Sequence, residues 1–286
     1  MAKNTDKPGQ SLKIPKIILI ASKFLSFIST NWTVSFAARL FTTPIKYKIP
    51  KRELEMDRHS EQQIIAIPAL GKDIVIYHFG QSPKKILLVH GWSGRGTQLV
   101  KFADELVKSG YATISFDAPA HGKSQGKSTL LPEFIESILE LEKKFGPFEA
   151  AIGHSLGGIA LLNSVRKGLK TNKLVTIGAA DIISDITDDF VKKLELKSEY
   201  SALLRQYFEK KYNMSMDSFS AWHSAKETQI PVLVIHDEND AEVPVKCAYH
   251  IHENLKNGEL MVTKNLGHRK ILGDKNVIAK TIDFIK

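Results

Sequence analysis

The sequence contains a single cysteine, Cys247, among 286 residues, so no disulfide can form within the chain. Small secreted folds that depend on disulfides are therefore excluded, and an oxidising compartment is not required. We expect Cys247 to be a small buried apolar residue rather than a reactive thiol. A chain of this length that is 43% hydrophobic and 25% charged can bury a core that needs no such covalent support.

Acidic residues are nearly absent from the first 50 positions. That stretch has one acid, Asp6, against eight basic residues, and so carries +7 of the formal +9 charge of the chain. The basic residues are Lys3, Lys7, Lys13, Lys16, Lys23, Arg39, Lys46 and Lys48. The rest of the chain is nearly neutral, which does not fit the basic stripe of a nucleic-acid-binding domain.

The sequence also has little in the way of long apolar runs. Residues 17–28 are too short to span a bilayer, and Lys23 interrupts them. Their apolar residues recur at helical spacing, with serines on a narrow polar face. A cleaved signal peptide fits poorly, because Lys23 lies inside the apolar region and no clear small-residue cleavage site follows. Two interpretations stay open: the helix packs its apolar side on the folded domain, or it lies on an anionic membrane surface.

From residue 62 onward, short apolar runs alternate with helical patterns. Strands are predicted at residues 62–67, 73–78, 86–89, 112–116, 148–152, 174–177, 232–235 and 260–263. Helical patterns lie at residues 99–106, 132–139, 159–165 and 277–285. This alternation predicts a parallel sheet covered by helices on both faces, with ligand sites beyond the carboxyl ends of its strands.

One segment departs from the alternation. Residues 181–229 are polar and charged, with apolar residues at helical spacing, and they lie between two predicted core strands. We interpret them as an inserted helical cap over the site. The chain is therefore divided into a basic amphipathic helical arm (1–55), a core in two parts (56–182 and 226–286) and a helical cap insertion (183–225).

Residues 153–157 read Gly-His-Ser-Leu-Gly, and a further glycine follows. This G-x-S-x-G pattern comes directly after an apolar strand and before a helix, the context in which Ser155 would sit on a sharp, strained turn with small neighbours. The start of the helix leaves the backbone N–H of Leu156 free beside the hydroxyl. An ordinary glycine-rich turn is the alternative, and the strand and helix context argues against it.

A second glycine-rich loop, residues 90–96, follows the strand that ends at Val89 and reads His-Gly-Trp-Ser-Gly-Arg-Gly. Considered alone, it would be an ordinary turn. If Ser155 attacks a carbonyl group, however, the N–H groups of Trp92 and Leu156 can together stabilise the oxyanion that develops on the carbonyl oxygen.

These two segments resemble successive motifs of the α/β-hydrolase family. The resemblance extends to residues 117–124 (Asp-Ala-Pro-Ala-His-Gly-Lys-Ser), 237–244 (Asp-Glu-Asn-Asp-Ala-Glu-Val-Pro) and 266–268 (Leu-Gly-His), and runs from about residue 62 to the end. It implies an α/β-hydrolase fold, with a mostly parallel central sheet, helices on both faces and a small helical cap. One departure is Ala120, where the family usually has glycine; that loop supports the oxyanion region, and we expect His121 in it to be structural.

The resemblance also implies a catalytic triad. The family's acid is separated by two residues from a Val-Pro pair, which here selects Asp240, with Asp237 as runner-up and Glu238 also considered. The base is His268, in the last loop of the chain. A histidine suits this role because it can take the serine proton near neutral pH. The other histidines considered are expected to pack, to pin a loop or to face solvent: His90, His154, His250 and His252. No cluster has metal-ligand spacing, so we expect no metal and no cofactor.

The expected function is a serine hydrolase that cleaves a carboxylic ester or related acyl bond through an acyl-enzyme on Ser155. A thioesterase, an acyltransferase or a serine peptidase would use the same triad, and a weakly catalytic homologue would keep only the ligand pocket. A dehalogenase with an aspartate nucleophile is disfavoured, because a serine, Ser155, occupies the turn between strand and helix where that aspartate would lie. Three aromatic residues of the cap suit apolar acyl groups, and equally simple packing: Phe208, Phe219 and Trp222.

The expected partner is a small ester or acyl substrate and not a nucleic acid. We expect a cytoplasmic location, and a peripheral membrane contact through residues 1–50 stays open. The natural substrate and the oligomeric state are not determined by the sequence.

Overall fold

A computed structural model describes residues 14–286 of the chain. The first 13 residues of the predicted arm, with three of its lysines, lie outside the described residues. Eight strands in the described range form one sheet. They are β1 (Glu61–Ile67), β2 (Lys72–Phe79), β3 (Lys85–Val89), β4 (Ala112–Asp117), β5 (Phe148–His154), β6 (Thr171–Ile177), β7 (Val232–Asp237) and β8 (Gly258–Thr263).

The strands lie side by side in the order β1-β2-β4-β3-β5-β6-β7-β8. The first three pair in antiparallel fashion, and every later pairing is parallel. The prediction of a mostly parallel sheet with helices on both faces is therefore confirmed. Because the parallel strands point the same way, the loops that follow β3, β5, β6, β7 and β8 emerge at one edge of the sheet.

Twelve α-helices occur within residues 14–286. They are α1 (Lys16–Ile28), α2 (Thr30–Thr42), α3 (Leu54–His59), α4 (Val100–Lys108), α5 (Leu131–Phe145), α6 (Leu156–Arg166), α7 (Ile183–Lys193), α8 (Glu199–Tyr212), α9 (Ala221–Glu227), α10 (Lys246–Glu253), α11 (Gly267–Lys270) and α12 (Lys275–Ile285). Helices α5, α6, α9 and α10 cover one face of the sheet, and α4 and α12 cover the other.

Strand β3 shows why the central strands read as unbroken apolar runs. Ile86 and Leu88 pack into the cluster on the α4 and α12 side, whereas Leu87 and Val89 pack into the cluster on the opposite side. Successive side chains of a strand point to opposite faces, so a strand covered on both faces must be apolar at every position.

A third hydrophobic cluster lies away from the sheet, between the arm and the predicted cap. Helix α2 contributes Val34, Ala37 and Ala38, and they pack with side chains from α7 and α8 such as Val191 and Phe208. The predicted cap segment, residues 183–225, divides in the structure. Helices α7 and α8 pack on the arm, whereas α9 packs on α6 with Ala221 and Ala225 in a core cluster of the sheet.

Helix α1 packs through its serine-bearing side. Ser22 is fully buried, and its hydroxyl donates a hydrogen bond to the Ile18 carbonyl at 2.8 Å. Phe24 and Phe27 are largely exposed. The interpretation in which α1 buries its apolar side on the folded domain therefore does not describe this helix. Among residues 14–286, no helix combines the length and the apolar character that a bilayer crossing requires.

Candidate active site

Ser155 lies at the sharp turn between β5 and α6. Its backbone has φ 53° and ψ −119°, a conformation that costs free energy in any residue with a side chain. A hydrogen bond from the Ser155 N–H to the Ile177 carbonyl, 2.8 Å long, helps to hold this turn against the neighbouring strand. A Cβ atom on Gly153 would lie 2.5 Å from the Gly157 carbonyl oxygen, and one on Gly157 would lie 2.7 Å from the His90 carbonyl oxygen. Close backbone packing therefore requires both glycines of the pattern.

Asp240 and His268 form a hydrogen-bonded pair at the same edge of the sheet. The His268 Nδ1 lies 2.6 Å from Asp240 Oδ2, and both side chains are buried. The other oxygen of Asp240 accepts from the backbone amides of Glu242 at 2.8 Å and Val243 at 2.9 Å. Burial alone would raise the pKa of Asp240, but the hydrogen bond from His268, the positive charge that this ring gains when it is protonated, and the two amides outweigh burial, so the pKa is lowered. An ionised Asp240 favours a proton on Nδ1 of His268 and leaves Nε2 available to accept one.

The end of β6 lies between Ser155 and the Asp240–His268 pair. The Ser155 amide bonds to Ile177, and a Cβ on the next residue, Gly178, would lie 3.2 Å from His268 Nδ1 and 3.6 Å from Asp240 Oδ2. The structure thus places the three predicted residues at one edge of the sheet, after β5, β7 and β8, on either side of the end of β6. The Ser155 hydroxyl forms no hydrogen bond to the His268 ring, although both residues are described. Such contacts are often long before a substrate is bound and shorten in the complex.

The two predicted oxyanion donors flank Ser155. The backbone N–H groups of Trp92 and Leu156 donate no hydrogen bond to any described residue, so both remain free for a ligand. The loop that carries Trp92 lies directly against the turn, since a Cβ on Gly91 would be 3.0 Å from Ser155 Cβ. Two free donors beside a serine hydroxyl suit a developing oxyanion.

Two buried histidines fix the loop of Trp92, as the sequence led us to expect. His90 Nε2 accepts from the Ala118 amide at 3.0 Å, and His121 Nε2 accepts from the Ser93 amide at 3.0 Å. Burial lowers the pKa of His121 to about 4 and that of His90 well below its ordinary value. Both rings are therefore neutral near pH 7 and able to accept these bonds.

His154 is the site residue whose role the sequence did not reveal. We expected its ring to point away into packing, but its Nε2 lies 2.9 Å from the His268 carbonyl oxygen, and the two ring centroids are 4.6 Å apart. Burial, assisted by the nearby charge of His268, lowers the pKa of His154 to about 3. The neutral His154 ring therefore donates a hydrogen bond to the His268 carbonyl and packs beside the His268 ring, so it helps to fix the position of His268. The only available signal was its place directly before Ser155, which does not fix the direction of a ring.

Asp237, the runner-up for the acid, has a different set of partners. Its carboxylate accepts from the amides of Leu266 at 3.1 Å and Gly267 at 2.9 Å, and from the Thr263 hydroxyl at 2.7 Å. It also accepts from the Asn239 amide at 3.0 Å. Burial would raise its pKa, but these four donors outweigh that effect and lower it. Asp237 therefore fixes the backbone of the loop that carries His268 and makes no bond to the ring.

Beside these residues lies a cavity of about 690 Å³, which Ser155, Trp92 and Leu156 line. Its other walls are mainly apolar and come from α2, the start of α5, α6, the α7–α8 region and the residues that follow α8. They include Leu40, Phe41, Leu130, Ile159, Ile186, Phe190, Phe208, Met216 and Phe219. The size is typical of small-molecule sites.

Of the three aromatic residues considered for substrate contact, two line this cavity and one does not. Phe208 and Phe219 are in its wall, whereas Trp222 stacks on His223 at 3.6 Å between ring centroids. Cys247 also contacts the cavity, and burial raises its pKa to about 11, so it is a protonated thiol near pH 7. His250, expected to be solvated or packed, contacts the buried carboxylate of Asp181.

Comparison with known proteins agrees with this architecture. Residues 86–273 match the family described as the alpha/beta hydrolase family. An esterase from Exiguobacterium antarcticum superposes with a TM-score of 0.63 at 18% identity, covering 78% of this chain and 98% of its own. A putative lipase from Acinetobacter baumannii AYE gives a TM-score of 0.63 at 18% identity, with coverages of 84% and 97%.

A third structure, Est1E from Butyrivibrio proteoclasticus with bound ferulic acid, gives a TM-score of 0.60 at 19% identity, with coverages of 77% and 98%. At such identities, the likeness shows the fold alone. No curated protein matches the chain.

Proposed function

Because the chain belongs to the α/β-hydrolase family, we propose that it is a serine hydrolase that cleaves esters of apolar carboxylic acids. One observation carries this proposal: the strained turn of Ser155 and two free backbone donors line one cavity, and the hydrogen-bonded Asp240–His268 pair lies at the same edge of the sheet. A nucleophile, an oriented base and an oxyanion site are the three parts that acyl transfer needs.

In the first half of the reaction, the Ser155 hydroxyl attacks the ester carbonyl carbon and its proton passes to Nε2 of His268. The amides of Trp92 and Leu156 stabilise the negative charge on the carbonyl oxygen. The Asp240 carboxylate stabilises the imidazolium that forms, and the bond at Nδ1 keeps the ring oriented. His268 then protonates the departing alkoxide, which leaves as the alcohol, and the acyl group remains on Ser155.

In the second half, a water molecule attacks the acyl-enzyme and gives its proton to His268. The same two amides hold the second oxyanion, and collapse of this intermediate releases the carboxylic acid. His268 returns the proton to the Ser155 oxygen, so the enzyme regains its starting state.

The cavity walls support an apolar acyl group. Aromatic and aliphatic side chains such as Phe41, Phe190, Phe208 and Ile159 surround the space next to Ser155. Transfer of apolar groups from water to such a site is favourable in proportion to the area buried. We therefore expect esters of medium or long acyl chains to be better substrates than acetates.

A fluorophosphonate probe and a panel of p-nitrophenyl esters of increasing chain length test the proposal. The unaltered protein should be labelled covalently and should show kcat/KM rising with chain length. Ser155→Ala should remain folded, lose the label and lose turnover by about a thousandfold or more.

Ser137→Ala is a matched control, because Ser137 is a buried serine on α5 that does not line the cavity and whose hydroxyl donates only to the Glu133 carbonyl of its own helix. It should keep the label. Labelling that persists in Ser155→Ala, or full esterase turnover in that variant, would overturn the assignment. A folded protein that takes neither label nor ester would instead be the weakly catalytic ligand-binding homologue.

A further inference from the structure

Large apolar side chains that face solvent are concentrated in the arm. Eight of the eleven such residues within the described range lie between residues 17 and 47. Helix α1 supplies five of them: Ile17, Ile20, Phe24, Phe27 and Ile28. Phe27 is 89% exposed and Phe24 is 64% exposed. At about 100° of rotation per residue, the five side chains fall within an arc of about 100°, so α1 presents one continuous apolar face outward.

The opposite side of α1 attaches the helix to the folded protein. Ser22 is buried there, and Ile18 packs against the cluster that α2 forms with α7 and α8. Lys23 also forms an ion pair with Glu195, in the turn between α7 and α8. The helix is therefore held with its apolar face in solvent, an arrangement that burial of apolar surface alone would not favour.

Positive charge borders this face. Lys16 and Lys23 fall just outside the apolar arc, on one side of it; Lys23 is paired with Glu195, whereas Lys16 forms no ion pair with any described residue. Residues 1–50 of the sequence contain eight basic residues and one acid. Trp32, at the start of α2, is 62% exposed. An apolar face with aromatic side chains and a lysine border suits the boundary between acyl chains and anionic headgroups. We propose that α1 and the start of α2 dock this protein on an anionic phospholipid bilayer, with Phe24 and Phe27 inserted below the headgroups.

The proposed docking surface lies close to the cavity. Helix α2 starts beside the exposed face and ends at Leu40 and Phe41, which line the cavity. The Phe41 ring packs edge-on against Phe190, with centroids 5.0 Å apart. An ester that partitions into the bilayer would then need to travel only the length of α2 to reach the cavity. This last consequence rests on the proposed function, whereas the docking itself does not.

Sedimentation with vesicles tests the docking. The full chain carrying Ser155→Ala is mixed with phosphatidylcholine vesicles that contain about 30 mole per cent phosphatidylserine, and with phosphatidylcholine vesicles as the uncharged comparison. We expect binding to the anionic vesicles, weakened by added salt, and weaker binding to the uncharged ones. Because binding is measured without turnover, its outcome is independent of whether the protein hydrolyses esters.

Two double variants distinguish binding through the exposed face of α1 from nonspecific binding to vesicles. Phe24→Gln with Phe27→Gln removes the aromatic side chains from α1, and should weaken vesicle binding about tenfold or more. Ile64→Gln with Tyr249→Gln changes two exposed residues elsewhere, 70% and 41% exposed, and should leave binding unchanged. Circular dichroism and thermal unfolding confirm that both variants fold.

Absence of vesicle binding, or equal loss in the two double variants, would overturn the proposal. A third outcome would also overturn it: light scattering shows a stable dimer, the protein does not bind vesicles, and Phe24→Gln with Phe27→Gln converts the dimer to a monomer. In that case a second copy of the chain covers the face.

Discussion

Asp237 and Asp240 lie three residues apart at the end of β7 and hold two different parts of the same loop. Asp240 is hydrogen-bonded to the His268 ring at 2.6 Å. Asp237 accepts from the amides of Leu266 and Gly267, the two residues that precede His268. One carboxylate therefore orients the ring, and the other fixes the backbone that carries it.

Asp240→Asn should impair catalysis far more than stability. An amide at this position can no longer stabilise the imidazolium, and it permits the wrong tautomer of His268. We expect kcat to fall by about a thousandfold or more, with the melting temperature changed only slightly. Steady-state kinetics on a p-nitrophenyl ester and a thermal unfolding curve measure the two effects. A variant that keeps most of its turnover would remove Asp240 from the triad.

Asp237→Asn should show the reverse pattern. An amide side chain cannot accept from all four donors, so we expect the free energy of unfolding to fall by about 2–4 kcal/mol. The fraction that remains folded should keep kcat within about tenfold of the unaltered protein, since Asp237 does not touch the His268 ring. If kcat instead fell as far as in Asp240→Asn, the assignment of the acid would be reversed.

His154→Leu tests whether the hydrogen bond from His154 to the His268 backbone aids the proposed base. This change removes the hydrogen bond to the His268 carbonyl but leaves every group that would touch substrate. We expect kcat to fall about tenfold with KM little changed, because the ring is held less firmly in its reactive position. His154→Gln can still donate to that carbonyl and should recover much of the lost kcat. Equal effects of the two substitutions would show that only packing matters at this position.

Stability should decrease as the pH falls below about 6.5, the ordinary histidine pKa. In the folded protein, burial holds the pKa of His121 at about 4 and that of His154 at about 3. Between these values and about 6.5, the unfolded chain binds more protons than the folded one, so unfolding becomes more favourable as pH decreases. At about pH 5, each of the two histidines should destabilise the folded state by roughly 2 kcal/mol.

Urea unfolding across this pH range measures the effect, and His154→Gln supplies its control. A glutamine does not titrate, so the free energy of unfolding of this variant should depend less steeply on pH. A slope identical to that of the unaltered protein would show that His154 is not held neutral in the fold.

Narrowing the cavity should shift the preference for acyl chain length. Ile186 lies in its wall, on α7, and Ile186→Trp adds bulk there. We expect kcat/KM for long-chain p-nitrophenyl esters to fall about tenfold or more, with the acetate changed by less than about threefold. The same substitution at exposed Ile64 should leave both unchanged. A uniform loss across all chain lengths would mean that the acyl group lies elsewhere.

The sequence predicted most of the fold because the signals it uses are local. The apolar runs at residues 86–89 and 232–235 marked strands buried on both faces, and the structure contains both. The glycines around Ser155 indicated a tight turn, since backbone crowding there depends on neighbouring residues and on the strand that the turn follows.

The sequence could not reveal contacts between residues that lie far apart in the chain. The support of His268 by His154 joins positions 114 residues apart, and no spacing rule relates them. Trp222 appeared suitable for substrate contact by its chemistry, yet its helix packs on α6 and turns it away from the cavity wall.

What the sequence by itself determined is the order of strands and helices, the strained turn at Ser155 and the short list of residues from which an acid and a base had to come. Periodicity and steric limits on the backbone act over a few residues, so they can be read from neighbours. Only the tertiary structure decided which carboxylate meets His268 and which side of α1 faces solvent. Both depend on surfaces formed by distant segments, since the apolar stripe of α1 is the same whether it turns toward α7 and α8 or away from them.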